Sequence, residues 1–178
     1  AEDSRLDVEP EDGGFLVELD DYLEGEEDVD YFTVGTERYT IHSDLTKDQI
    51  ADSKKYIADV SSAIASGNKD RISELIDVNS FVDMYLLQEY TKNIDAGWSS
   101  FYMFRKDEND VLHLGPAWDF DIAMGNDCRL DGGGYDGIYV GRDSGMVQQM
   151  WWFIQLCRQE WFRELASNRW NTTFGKQA

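Results

Sequence analysis

The sequence predicts an α+β fold, a helical body carrying small antiparallel hairpins, on three observations. β-prone runs come in pairs at 31–41 and 101–114, each pair joined by a turn-forming polar stretch. Apolar residues recur at helical spacing from Ile50 to Ile64 and crowd the run 81–93. A hydrophobic fraction of 42% with 13% aromatics gives the 178 residues enough apolar material for one core and is incompatible with wholesale disorder.

The elements follow in order. Behind Pro10 and the Gly13-Gly14 pair, Phe15, Val17 and Leu19 alternate with Leu16, Glu18 and Asp20, the period of a strand with one dry and one wet face. Two short β runs between Tyr31 and Ser43 break at Gly35-Thr36, a turn. Ser43, Asp44 or Thr46 then caps a helix whose inner face is Ile50, Ile57, Val60 and Ile64 and which Gly67 ends. A second helical segment runs from Lys69 to Ile76. The run 81–93 reads as a central helix, capped by Ser80 and with Asp83 in its first turn. Phe101 to Phe104 and Val111 to Leu114 form a hairpin, and Gly115-Pro116 bends the chain out of it. The Gly-rich stretch 130–145 is loop, anchored by Tyr135, Ile138 and Tyr139. The last element, 146 to about 166, is one helix or two with a break near Gln159.

Charge narrows the function. With 36 acidic and 16 basic side chains the chain carries −20 at a pI near 4.2, which argues against nucleic-acid partners, since a phosphate-tracking face needs clustered Lys and Arg. Residues 1–31 alone hold −13 of that charge. We read 1–12 as an acidic N-terminal arm and 13–178 as the domain. No run of 18 apolar residues is present, so no membrane-spanning helix is expected. The two cysteines, Cys128 and Cys157, either pair or remain separate thiols; their spacing fits no Cys-x-x-Cys site.

Two stretches carry candidate chemistry. In GPAWDFDIAMGN, 115–126, an extended backbone would put Asp119 and Asp121 on one side of a strand, close enough to share a cation, with Trp118 and Phe120 pointing into the core. Such hard oxygen donors suit Mg²⁺ or Mn²⁺. The alternative is a polar strand end with buried aromatics. Asn126 and Asp127 either add ligands or shape the turn. In TKNIDAGWSS, 91–100, Asn93 and Asp95 fall where the central helix ends, followed by Ser99 and Ser100: a possible base beside two hydroxyls, or ordinary helix-terminating residues. His42 and His113 are far apart without ligand spacing and read as surface or satisfied core residues. No Gly-x-Ser-x-Gly elbow exists, and Gly132-Gly133-Gly134 lacks the P-loop ending. Trp151, Trp152 and Trp161, at helical spacing, read as core.

Taken together, GGFLVELDDYLEGEEDVDYF (13–32), DVNSFVDMYLLQEYTKNIDA (77–96), SFYMFRKD (100–107), LHLGPAWDFDIAMGN (112–126), GIYV (137–140) and the terminal Arg169-Trp170 pair resemble the CotH kinase family in order and content over about residues 13–170. The resemblance implies the larger lobe of an atypical protein kinase, bacterial and secreted or surface-exposed, that uses ATP with Mg²⁺ or Mn²⁺ to phosphorylate Ser or Thr of a protein substrate. Asp95 then resembles the catalytic-loop aspartate that orients and deprotonates the acceptor hydroxyl, with Asn93 setting its loop, and Asp119 resembles the metal-holding aspartate, with Asp121 auxiliary to it. Ser99 and Ser100 stand in the neighbourhood where the family often has a metal-assisting asparagine, which makes Ser100 the cofactor-side candidate. The resemblance covers the later part of the family's domain. The earlier part, with the nucleotide-covering loop and a phosphate-contacting lysine, finds no match; Lys54, Lys55 and Lys69 lie on predicted helices.

The expectation is therefore a kinase that needs an N-terminal part of the same domain and is poor or inactive as this chain alone. Apolar surface on 14–23 or 39–43 should then be exposed. The alternative is a noncatalytic structural or surface-interaction module in which the acidic motif holds a structural cation. A glycoside hydrolase is disfavoured, because Asp119 and Asp121 are adjacent rather than opposed across a substrate.

Overall fold

The computed structural model describes residues 5–21, 30–126, 137–142 and 150–173. Their elements are β1 (Phe15–Leu19), β2 (Tyr31–Val34), β3 (Glu37–Ile41), α1 (Lys47–Ser66), α2 (Lys69–Ser73), α3 (Val78–Thr91), β4 (Phe101–Arg105), β5 (His113–Leu114), α4 (Trp151–Arg158) and α5 (Glu160–Thr173). The fold is α+β, with mixed helices beside an antiparallel sheet. The hairpins β2–β3 and β4–β5 do not stand apart: β1 lies between them and joins all five strands in the order β2-β3-β1-β4-β5. Glu18 faces Thr40 on one side and Tyr102 on the other.

That central position corrects two expectations. All five residues of β1 are buried, so the strand has no wet face, and Tyr39 and Thr40 of β3 are buried as well; among the described residues of 14–23 and 39–43 no large apolar side chain is exposed, against the expectation. Strands paired on both edges are easily covered on both faces, and alternation in sequence does not reveal which strand is central. One face carries Phe15, Val17, Leu19, Phe101 and Met103 into a core shared with Ile57 and Val60 of α1, Phe81 of α3, Trp152 and Phe153 of α4 and Phe162 of α5. Phe15 meets Tyr56 edge-on at 6.0 Å and Phe101 meets Phe153 at 5.9 Å, which seats the helices on this face.

The helix boundaries have local causes. Thr46 accepts from Gln49 N while the Gln49 side chain accepts from Thr46 N, a reciprocal cap, and Gly67 ends α1 at φ 67°. α3 starts three residues earlier than the sequence predicts. Asp77, not Ser80, is its cap, accepting from Asn79 N at 2.8 Å and Ser80 N at 3.2 Å, whereas the Ser80 hydroxyl accepts from Leu114 N at 3.1 Å and ties α3 to β5. The break near Gln159 is present, with extended ψ of 128° between α4 and α5. Trp152 is wholly buried, as expected for core. Of the three loop anchors, Tyr139 is buried together with its neighbour Val140, Ile138 is exposed, and Tyr135 lies outside the described residues. Cys157 is a free thiol; Cys128 and Asp127 fall outside the described residues. Among the described residues no helix is long and apolar enough to cross a membrane.

Candidate active site

The loop between α3 and β4 is built by its own sequence. Lys92 leaves α3 in the left-handed conformation, φ 52°, and the next residue, Asn93, is buried; its side-chain oxygen accepts from Asp95 N at 3.2 Å, folding the chain into a tight turn. Ile94 and Ala96 on either side of Asp95 are buried and pin the turn to the core, leaving Asp95 half-buried between them. Trp98 N to Asp95 O at 2.9 Å closes the loop on itself, and two backbone bonds fix it from outside, Asp21 N to Trp98 O at 2.9 Å and Met150 N to Ala96 O at 2.9 Å. Asp95 is thus held by the ends of α3, β1 and α4 together.

The second acidic stretch departs from the predicted strand. β5 stops at Leu114, and the chain from 115 to 126 forms neither strand nor helix. Pro116 has no N–H to continue a ladder, which is reason enough for pairing to end there. Asp119 has φ 54°, so Asp119 and Asp121 are not alternate residues of an extended strand and do not share its face. Trp118 is exposed at 55%, not buried, and Phe120 only partly buried; the turn residue Ala123 is the one that enters the core. Asn126 shapes this turn, its amide donating to Asp121 O at 2.6 Å and its N–H to Ala123 O at 3.1 Å.

The two loops nevertheless meet. Ser100 donates its hydroxyl to Asp119 Oδ2 at 3.1 Å, and Met124 N reaches Thr91 O, at the end of α3, at 2.6 Å. Ser100, Asp119 and Met124 all hold positive φ, 56°, 54° and 57°, conformations that non-glycine residues rarely adopt and that concentrate at functional sites. Of the site residues nominated from sequence, Asn93, Asp95, Ser100 and Asp119 belong to these two joined loops. Asp121 lies in the same turn, exposed, with its backbone rather than its carboxylate engaged by Asn126.

Beside them is a group the sequence reading passed over. Glu18, 8% exposed in the middle of β1, bonds His42 Nε2 at 2.7 Å and takes a hydrogen bond from Tyr102, whose ring lies 5.2 Å from that of His42. Burial, the Glu18 contact and the charges of Asp20 and Asp119 push the Tyr102 phenol well above its ordinary range, so it stays a neutral donor. Tyr102 thereby senses Asp119 electrostatically. The available signal was the acid inside an apolar strand, legible only once β1 is known to be central. His113 is satisfied, by Asp110 at 3.0 Å and Asp77 at 3.2 Å, and stacks on Phe104.

Among the described residues no group of three or more His, Cys, Asp or Glu side chains is assembled to hold a metal. Magnesium does not require one: it is commonly held by one or two carboxylates with substrate phosphates and water completing the shell. An exposed aspartate with a hydroxyl on one carboxylate oxygen and a second aspartate on the adjoining loop offers hard oxygen donors of the kind Mg²⁺ or Mn²⁺ takes, so the residues present fit such an ion.

The described residues form an α+β domain whose Asp95 and Asp119 loops meet where β4 begins and β5 ends. The profile of the CotH kinase protein family matches residues 11–177, and the chain belongs to that family. No curated protein and no solved structure matches it.

Proposed function

We propose that the joined loops are a phosphotransfer centre, the larger-lobe half of an atypical protein kinase that moves the γ-phosphoryl group of ATP to Ser or Thr of a protein substrate. The observation that carries this reading is the Ser100 to Asp119 contact, which couples the Asp95 loop to the Asp119 loop. Asp119, with Ser100 beside it, would hold Mg²⁺ or Mn²⁺, which supplies the positive charge that draws in and neutralises the triphosphate. Asp95 orients the acceptor hydroxyl and takes its proton as the oxygen attacks. Asn93 fixes the backbone that presents Asp95. Asp121 is placed to assist at the rim. The division of labour suits phosphoryl transfer, where catalysis is mostly positioning and charge stabilisation.

A phosphate near Asp20, Asp21, Asp95 and Asp119 needs cationic compensation. Lys92, the lysine nearest the site in sequence, is engaged by Glu89 and Gly137 O, both at 2.5 Å. The proposal therefore includes a further basic group from an N-terminal part of the same domain in a longer parent, and weak or no activity for residues 1–178 alone. Secretion or surface exposure accompanies the reading as a family expectation.

A second reading has its own support. An exposed Asp119 turned back onto Ser100 is also a satisfied hydrogen-bonded corner, as a noncatalytic interaction module would have. A transfer assay on the full-length protein with Asp95→Asn and Asp119→Asn separates them. Phosphotransfer requires that Asp95→Asn lose transfer, by about a hundredfold or more, with an unchanged melting temperature. Transfer unaffected by either change, with melting lowered by Asp119→Asn, would favour the structural corner.

A further inference from the structure

The sheet has a second face, turned away from the helices. Side chains alternate along a strand, so Leu16 and Glu18 of β1, Thr40 of β3 and Tyr102 of β4 point away from the core that Val17, Leu19, Tyr39, Phe101 and Met103 enter. Glu18 stands directly opposite Thr40 on one side and Tyr102 on the other. His42, one residue past β3, closes onto the same face through its contacts with Glu18 and Tyr102.

A carboxylate buried in the middle of a sheet is costly unless a charge or a donor meets it. His42 meets Glu18, Nε2 to Oε2 at 2.7 Å, and the Tyr102 phenol donates to the same carboxylate. That contact fixes one nitrogen of the imidazole and leaves the other, Nδ1, without a hydrogen-bond partner among the described residues, on a side chain that is 28% exposed. His113, the other histidine of the chain, differs: Asp77 holds its Nδ1 and Asp110 its Nε2. Beside the pair, the buried Thr40 hydroxyl likewise has no partner among the described residues. A buried acid that orients a half-exposed imidazole, next to an unused hydroxyl, is more than is needed to tie β1 to β3.

The group lies close to the joined loops. Ser100, which holds Asp119, is two residues before Tyr102, a step of about 7 Å along a strand. The Tyr102 ring is 5.2 Å from that of His42, and the phenol feels the charges of Asp20 and Asp119.

We propose that His42 is a binding residue for the phosphate chain of the nucleotide, an imidazolium held by Glu18 whose Nδ1–H donates to a phosphate oxygen. The inference rests on the phosphotransfer reading and deepens it. An imidazolium has two N–H donors and no acceptor, so one serves Glu18 and the other the phosphate. Both bonds are charge-assisted, the stronger kind. Part of the cationic compensation that the acidic loops require then comes from this chain itself.

Calorimetric titration of ATP with Mg²⁺ into the full-length protein tests the assignment through two substitutions. His42→Gln keeps an amide donor for Glu18 but no charge, and should bind about tenfold more weakly. His42→Lys keeps the charge and should stay within about threefold of wild type. Asp119→Asn serves as the control for the phosphotransfer reading. If Asp119→Asn abolishes uptake while His42→Gln binds like wild type, that reading stands and the role of His42 is overturned. Equal weakening by Gln and Lys also overturns it, since only a structural pair would be indifferent to charge. Absence of uptake by wild type removes both. NMR of the His42 ring in wild type, assigned through its contact with Tyr102, gives a second readout that needs no variant to fold. Its nitrogen signals should shift on adding ATP with Mg²⁺ and stay in place with adenosine, which lacks the phosphates; a ring unmoved by saturating ATP with Mg²⁺ overturns the proposal.

Discussion

At Asp119 the backbone is held where few side chains tolerate it, and the Ser100 hydroxyl on one carboxylate oxygen sets the direction of the other. If that arrangement serves a cation, Ser100→Ala should weaken metal-dependent nucleotide binding several-fold. Because both groups are exposed, the melting temperature should hardly move. Equal loss of stability and binding would make the contact structural. Asp110 offers an independent residue-scale test. Burial raises its carboxyl, but hydrogen bonds from His113 and from Val111 and Lys106 N–H outweigh this and hold it below the ordinary 3.8. A carboxyl lowered on folding stabilises the protein above its unfolded value and loses that contribution as pH falls through its folded one. The stability gap between wild type and Asp110→Asn should therefore be full above about pH 5 and close as pH falls below 3.8, followed by denaturant unfolding at successive pH values. The chemistry at this scale was partly legible. Asn93, Asp95 and Asp119 stand out by residue type and order. The Glu18, His42 and Tyr102 group does not, because its members come from β1, β4 and the residue just past β3, whose adjacency no local pattern encodes.

At the scale of elements, α3 does more than cross the core. Its last turn presents Glu89 to three successive backbone N–H groups of 139–141, and Lys92, at its C-cap, holds Gly137 O. Helix α3 thus holds 137–142 on one side and launches the Asp95 loop on the other. Glu89→Ala should cost about 3–5 kcal/mol, since it leaves Lys92 buried without its partner and three amides unpaired, measured by chemical denaturation. A change under about 1 kcal/mol would show that the clamp is replaced by solvent. Helices were the most legible elements, because stripes such as Ile57, Val60 and Ile64 and stops such as Gly67 are local. The extended reading of 119–121 failed for an equally physical reason. Alternating residue types fit a strand, but Pro116 ends the ladder and Asp119 and Met124 turn left-handed, so the acids reach Ser100 through a loop.

Across the whole molecule the charge of −20 meets a core buried on both faces of its central strand. Self-repulsion at that charge opposes compaction and is screened over about 10 Å at 0.1 M salt. The melting temperature should rise between low and physiological ionic strength in NaCl; a flat or falling response would mean that the acids are locally compensated. The family was legible from the order of its motifs, whereas the single five-stranded sheet was not, since nothing in two separate hairpins announces that a third strand joins them. The central claim, that Asp119 serves a metal-bound nucleotide, is tested most directly by calorimetric titration of ATP, with and without Mg²⁺, into the full-length protein and its Asp119→Asn variant. The account expects uptake that needs Mg²⁺ and disappears in the variant at unchanged melting temperature. Equal Mg²⁺-dependent uptake by both proteins, or none by the wild type, would contradict it.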